Sequence, residues 1–231
     1  MKFLLPLCIV SLSSAALAEI PASYYSRPVF SDDFSSGEFS KSWSHYKSGS
    51  VIKDGVLKGI TPEGSDHSAV DIVKIEPERD LEVSVKFRYT SDKAKSFNLW
   101  FDDRNYKESH AGHICNVNVS PTAVSIGDAK TGNFRNDIYE KKKATPPTLT
   151  DADKEFLKTK NKTLPVTLSL QDWHTLVART KGDEIEVSLD GKLVGGFKSD
   201  GIAHDTKTVI SLTTNQIDVE YDDFAIKAAA K

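Results

Sequence analysis

Cysteine is almost absent from this chain, with two in 231 residues, Cys8 and Cys115. Cys8 lies in an N-terminal segment read below as removed, which leaves Cys115 alone. No intramolecular disulfide is then available, and stability must come from a packed core. Cys115 alternates with Val117 and Val119, the setting of a small buried hydrophobe and not of a reactive thiol. Also missing are a Cys/His zinc spacing, a glycine-rich phosphate loop and a nucleophile elbow. No apolar run reaches the roughly 20 residues of a membrane-spanning helix. Charge of one sign is lacking too, since the formal net charge is −3. That balance offers no basic face for nucleic acid, and Lys141-Lys142-Lys143 reads as a solvated loop. Helix–strand alternation, tandem repeats and low-complexity tracts are absent.

What is present begins with a leader. Lys2 supplies a positive start, Phe3–Val10 a short apolar core, and Ala16-Leu17-Ala18 an A-x-A site. This is the pattern of a secretory signal peptide over residues 1–18. It predicts an exported protein, periplasmic or extracellular, with no membrane attachment after cleavage. Residues 19–231 are long enough for one well-buried domain and short for two.

The remainder alternates with a period of two. Leu81, Val83, Val85, Phe87 and Tyr89 alternate with polar residues, as do Phe97, Leu99 and Phe101, and again Ile185, Val187 and Leu189. Such runs are strands with one buried face. Asp54-Gly55 and Asp190-Gly191 sit between strand pairs and suit type I′ hairpins, which need positive φ at both turn positions. A phase slip at Asp222-Asp223 predicts a bulge in the last strand, Ile217–Ile226. The segment of about 128–165 breaks the rhythm as an insertion. One short helix is expected there, capped by Thr150 and pinned to the sandwich by Phe156 and Leu157. About a dozen strands with frequent turns predict an all-β, two-sheet antiparallel sandwich.

Five stretches together resemble the concanavalin A-like lectin/glucanase superfamily of jelly rolls. They are FSDDF at 30–34, VIKDGVLKG at 51–59, LEVSVKFRY at 81–89, WHTLVARTKGDEIEVSLDGKLVG at 173–195 and VEYDDFAI at 219–226. Within the superfamily they are most similar to exported bacterial proteins of the 3-keto-disaccharide hydrolase domain type. The resemblance implies a jelly-roll fold and a carbohydrate partner. It carries over no catalytic residue, because each stretch is a fold signature.

A sugar on such a sandwich is expected on the concave outer face of one sheet. Trp100 shares a polar face with Asn98 and Asp102, opposite Phe97, Leu99 and Phe101. An indole on a polar face can stack on a pyranose ring, with amides, carboxylates and guanidinium groups taking the hydroxyls. Arg88 on the preceding strand and Asn116 on the following one are read as part of the same face. His110 and His113 border it, spaced as two ligands of a metal would be but with no third nearby. The alternative is that the insertion covers Trp100. The doublets Asp32/Asp33, Asp102/Asp103 and Asp222/Asp223 are not catalytic pairs, since neighbours on a strand point to opposite faces. The strand E-x-D-x-x-E pattern of retaining jelly-roll glucanases is missing. Asp33 and Asp222/Asp223 read as a solvated edge, with a structural Ca²⁺ held between them as the alternative, and no other cofactor is expected. The leading expectation is an exported carbohydrate-binding sandwich contacting a glycan. The alternatives are a glycoside hydrolase of the 3-keto-disaccharide type and a non-catalytic surface or structural interaction module.

Overall fold

A computed structural model describes residues 19–93, 95–215 and 219–230. Residues 1–18, read as a signal peptide, and Ile217 lie outside the described residues. Fifteen strands and two α-helices are described. The strands are β1 (Arg27–Asp32), β2 (Trp43–Tyr46), β3 (Val51–Lys53), β4 (Val56–Gly59), β5 (Ala69–Glu78), β6 (Leu81–Tyr89), β7 (Ser96–Asp102), β8 (His113–Val119) and β9 (Ala123–Asp128). After α1 (Asn136–Lys143) and α2 (Asp151–Lys158) come β10 (Asn161–Pro165), β11 (His174–Lys181), β12 (Glu184–Leu189), β13 (Lys192–Lys198), β14 (Lys207–Asn215) and β15 (Val219–Ala228). The first sheet runs β13-β12-β11-β6-β15-β4-β3, with β1 also on β15, and the second runs β10-β9-β8-β7-β14-β5-β2. Every pairing is antiparallel. This is the two-sheet antiparallel sandwich expected from the alternation, and the jelly roll that the resemblance implies.

The inward side chains of the two sheets meet in one core. Phe87 of β6 packs on Phe97 of β7 with ring centroids 4.9 Å apart, and the buried Tyr89 hydroxyl donates to the Val119 carbonyl at 2.8 Å. Each such side chain, fully withdrawn from water, contributes on the order of 1.5–3 kcal/mol. The bulge at Asp222-Asp223 is present, with the β6 register shifting between Asp222 and Ala225 and Asp223 at φ 45°. It serves a purpose in the topology. Before it, β15 pairs with β4 along Val219–Tyr221; after it, the same edge takes β1 along Phe224–Ala228.

The chain's first described turn closes one outer face. The Ile20 N–H donates to Glu186 Oε2 at 2.8 Å, and the buried Tyr25 donates its hydroxyl to the Thr180 carbonyl at 2.9 Å. Beneath them Arg179 lies between Glu82 at 2.7 Å and Glu186 at 3.4 Å. This part of the first sheet's outer face is therefore covered by chain.

The insertion holds two helices, not the one expected. Helix α2 starts where the sequence places it, with a capping box between Thr150 and Asp153. Helix α1 has no side-chain cap at Arg135, so it lacks the start signal that reveals α2. Lys141-Lys142-Lys143 is its last turn, where cations suit the negative end of the dipole, and not a loop. Phe156 and Leu157 do not reach the core. Phe156 lies instead between the cations of Arg135 at 5.2 Å and Lys160 at 5.3 Å. The last strand of this segment, Asn161–Pro165, lies within the bounds read as insertion and pairs with β9.

Candidate functional site

The outer face of the second sheet carries a row of amides around one indole. Strand β7 buries Phe97, Leu99 and Phe101 in the core, so Asn98, Trp100 and Asp102 project outward as the alternation predicts. Register places Trp100 between Asn116 of β8 and Ser211 of β14, and Asn98 between Asn118 and Thr213. Asn116 and Asn118 both donate through Nδ2 to Asn98 Oδ1, at 3.0 Å and 3.1 Å. That fixes the Asn98 amide and leaves its own N–H groups without a protein partner among the described residues. Glycine at 127 makes room for this, since a Cβ there would stand 2.6 Å from Asn116 Oδ1.

Trp100 is half-buried. The His113 ring lies against it at 4.3 Å, and Phe134 meets it edge-on at 5.2 Å. Phe134 belongs to the inserted segment. The insertion therefore covers one side of the indole and leaves part of it exposed, a result between the two alternatives.

His113 reaches this face through a bulge. The β7–β8 register pairs Phe101 with Cys115 but Asp102 with His113, so Ile114 is an extra residue in β8. Strict alternation from Cys115 would send His113 toward the core; the inserted Ile114, itself buried, turns it outward. There His113 Nδ1 pairs with Asp102 Oδ1 at 2.8 Å. Asp102 is 1 % exposed, and its Oδ2 has no hydrogen-bond partner among the described residues. A buried carboxylate thus holds a histidine by one ring nitrogen, and the other, Nε2, has no protein partner among the described residues. This is the arrangement of a proton-transfer group and its orienting acid.

His110 sits one ring further out, 6.3 Å from His113. It stacks on Tyr139 of α1 at 3.8 Å and 9°. Burial, with His113 and Lys143 nearby, holds its pKa below the ordinary histidine value. Among the described residues no three His, Cys, Asp or Glu side chains gather as a metal site.

Arg88 does not join this group. Strand β6 lies between β11 and β15 in the first sheet, so the polar sides of β6 and β7 face opposite ways across the core. Arg88 bonds Glu220 and lies over the Trp173 ring at 4.7 Å. Sequence adjacency suggested neighbouring strands, whereas β6 and β7 belong to different sheets. The acids considered for calcium do meet, because β1 pairs with β15. A shallow pocket is lined by Asp32, Asp33 and Asp223, yet each already has a partner: Trp43 Nε1 for Asp32, Ser35 for Asp33 and Lys86 for Asp223.

No helix among the described residues is long and apolar enough to cross a membrane. No curated protein matches the sequence. Solved structures with a similar fold include a sialidase at TM-score 0.60 and 14 % identity, covering 90 % of this chain and 19 % of that one. This chain is therefore about a fifth of the sialidase's length. SCLam, a non-specific endo-beta-1,3(4)-glucanase from family GH16, is similar at TM-score 0.62 and 12 % identity, covering 92 % of this chain and 94 % of that one. The carbohydrate binding module CBM66 from Bacillus subtilis is similar at 0.52 and 11 %, covering 81 % and 96 %. At these identities the likeness is one of fold. Residues 30–227 match the family described as the 3-keto-alpha-glucoside-1,2-lyase-like domain. The chain thus belongs to a carbohydrate-active family of jelly-roll domains, that of the 3-keto-alpha-glucoside-1,2-lyase-like domain.

Proposed function

We propose that the chain is exported and binds a glycan on the outer face of its second sheet, with Trp100 as the stacking platform and Asn98 and Asn116 at the sugar hydroxyls. The observation that carries this reading is the partly exposed indole set among fixed amides. An aromatic face takes the apolar side of a pyranose, and unpartnered amide donors beside it take hydroxyl oxygens. The family match and the glucanase and carbohydrate-module folds support a sugar as the partner. Calorimetric titration with neutral oligosaccharides tests it, using wild type and Trp100→Ala. Saturable binding lost in the variant is expected. Binding to no sugar, with capture of a protein ligand instead, would favour an interaction module. For export, Ile20 is already buried two residues past the A-x-A site, so the folded body reaches back to that site. Mass spectrometry of the exported protein should find Glu19 at its N-terminus.

A second reading, an enzyme of the family's own type, is favoured by the Asp102–His113 pair. In a 3-keto-glucoside the C3 ketone acidifies the proton on C2. Neutral His113 would take that proton at Nε2, the C2–H electron pair would form the C1–C2 double bond, and the C1–oxygen bond would break to release the aglycone. Asp102 would stabilise the imidazolium that forms. Incubation with a 3-keto-disaccharide tests this reading. Release of the second sugar, abolished in His113→Gln and strongly slowed in Asp102→Asn, is expected. Tight binding with no release would leave the chain a binding protein.

A further inference from the structure

Beside the sugar face lies a pocket of about 390 Å³ whose walls include Arg104, Tyr106, Lys107, His110 and Asn136. No aspartate or glutamate lines it. Arg104 donates through Nη1 to the Ala111 carbonyl at 2.8 Å, and Lys107 donates through Nζ to the Arg104 carbonyl at 2.6 Å. Neither forms an ion pair among the described residues, so both cations are held by backbone oxygens and stay unneutralised. Lys130 lies over the Tyr106 ring at 5.1 Å and Lys143 over Tyr139 at 5.8 Å, and these two have no carboxylate partner among the described residues either. Acids stand outside that lining: Asp103 precedes Arg104 and Asp137 follows Asn136 in the chain, Glu108 accepts the Tyr106 hydroxyl at 3.2 Å, and Glu140 acts electrostatically on His110. Two cations, Arg104 and Lys107, and no carboxylate therefore line the pocket itself.

The loop that carries Arg104 is held in shape before any ligand arrives. Buried Asp103 accepts from the Asn105 N–H at 2.9 Å, from His204 Nε2 at 3.1 Å and from the Thr206 hydroxyl. The Arg104 N–H is taken by the Thr208 hydroxyl at 3.0 Å. Gly112, at φ 75°, lies so close that a Cβ would stand 2.1 Å from the Asp103 carbonyl oxygen. A guanidinium fixed in this way loses little freedom when it meets a planar anion, and its fork matches a carboxylate. The pocket is one ring removed from the sugar face, because His110 on its wall neighbours His113, which lies against Trp100.

We propose that this pocket is an anion subsite that selects glycans bearing a carboxylate, the uronic acids, with Arg104 as the principal contact and Lys107 in support. The inference rests on the proposal that Trp100 holds a sugar, and names the class of sugar.

The test is an array of uronate-bearing oligosaccharides, printed beside the same set after reduction of each carboxyl to a hydroxymethyl group and beside sulfated analogues. The protein beginning at Glu19 is applied as wild type, Arg104→Gln and Lys107→Gln. Glutamine at 104 removes the charge and the guanidinium fork while keeping a polar N–H group, and thermal melts check that both variants fold. Wild type should prefer the acidic member of a pair by roughly ten- to a hundredfold at low salt. The preference should fade as salt rises and fall to near parity in Arg104→Gln, while binding to reduced sugars stays unchanged. Equal binding of acidic and reduced members would overturn the uronate inference and leave the sugar face standing. Preference for sulfated over carboxylated sugars would overturn the assignment to uronates. Binding to neither would defeat both proposals together.

Discussion

Trp100 divides its surface between packing and exposure, and that division sets what its loss should do. His113 and Phe134 cover part of the ring. Truncation to alanine should therefore cost about 1–2 kcal/mol of stability, below the ~3–5 kcal/mol of a fully buried aromatic. Glycan affinity should fall by about 1–3 kcal/mol, the usual loss of an aromatic stacking platform. Melts and titrations of the same variant read both quantities. A full core-sized loss would make Trp100 a packing residue and remove the sugar face. The grouping of Trp100 with Asn98 and Asn116 was legible in sequence, because side chains on a strand repeat every two residues. Two features were not. Arg88 faces the other way because strand neighbours are chosen by long-range pairing that no local pattern encodes. His113 meets Asp102 only because Ile114 is bulged, and in sequence the stretch from His113 to Asn118 hides that extra residue.

At the scale of elements, turn chemistry was the most legible part of the chain. Asp190 and Gly191 stand at φ 51° and 74°, and Asp54 and Gly55 at 58° and 76°, the pairs of positive angles that primed hairpin turns require. Asp190 also clamps its hairpin, accepting the Thr175 N–H at 2.8 Å and pairing with His174 Nδ1 at 2.8 Å. Around Gly191 a Cβ would meet nothing within 4 Å, so only backbone strain distinguishes substitutions there. Gly191→Asn should be nearly neutral, since asparagine visits the left-handed region readily. Gly191→Val should cost about 1–2 kcal/mol. Equal denaturation midpoints for the two variants would show that the turn does not require its positive φ. Helix α1 was missed where α2 was found, for want of a capping side chain, and its one buried residue, Ile138, gives no period to read.

Three histidines pull the stability of the whole molecule in opposite directions in mild acid. Burial, above all, holds His110 and His204 below the ordinary histidine value. In the unfolded chain they take protons near pH 6.5, before the folded protein does, so their share of stability is full above that pH and declines below it. His174 acts in the opposite sense. Burial pulls its pKa down, but the Asp190 and Ser169 bonds outweigh it and the net direction is up. Its contribution is full below about 6.5 and fades as pH rises through the raised value. The lowered pair and the raised His174 pull against each other, so the melting temperature of His174→Gln should fall relative to wild type on going from pH 7 to pH 5. A loss of stability should follow below about pH 4. There Asp103 and Asp190 must be protonated, both held low by their hydrogen-bond donors against burial. An equal change from pH 7 to pH 5 in His174→Gln and wild type would contradict the histidine assignment.

With no disulfide among the described residues, the sandwich depends on its core, and one thiol sits inside that core to report on it. Cys115 is fully buried on β8, and burial pushes its pKa up to about 12. Thiol reagents attack the thiolate, so two barriers stand in the way: access and ionisation. Local fraying should not relieve either, because β8 lies inside the second sheet between β7 and β9, away from both edges. Labelling of the protein beginning at Glu19 by a disulfide-exchange reagent should therefore require global opening. Its rate should rise with denaturant in step with unfolding followed by tryptophan fluorescence, and reducing agent should leave the melting temperature unchanged. Rapid labelling in water, well ahead of any unfolding signal, would mean that the second sheet opens by itself at β8, beside the strand that carries Trp100.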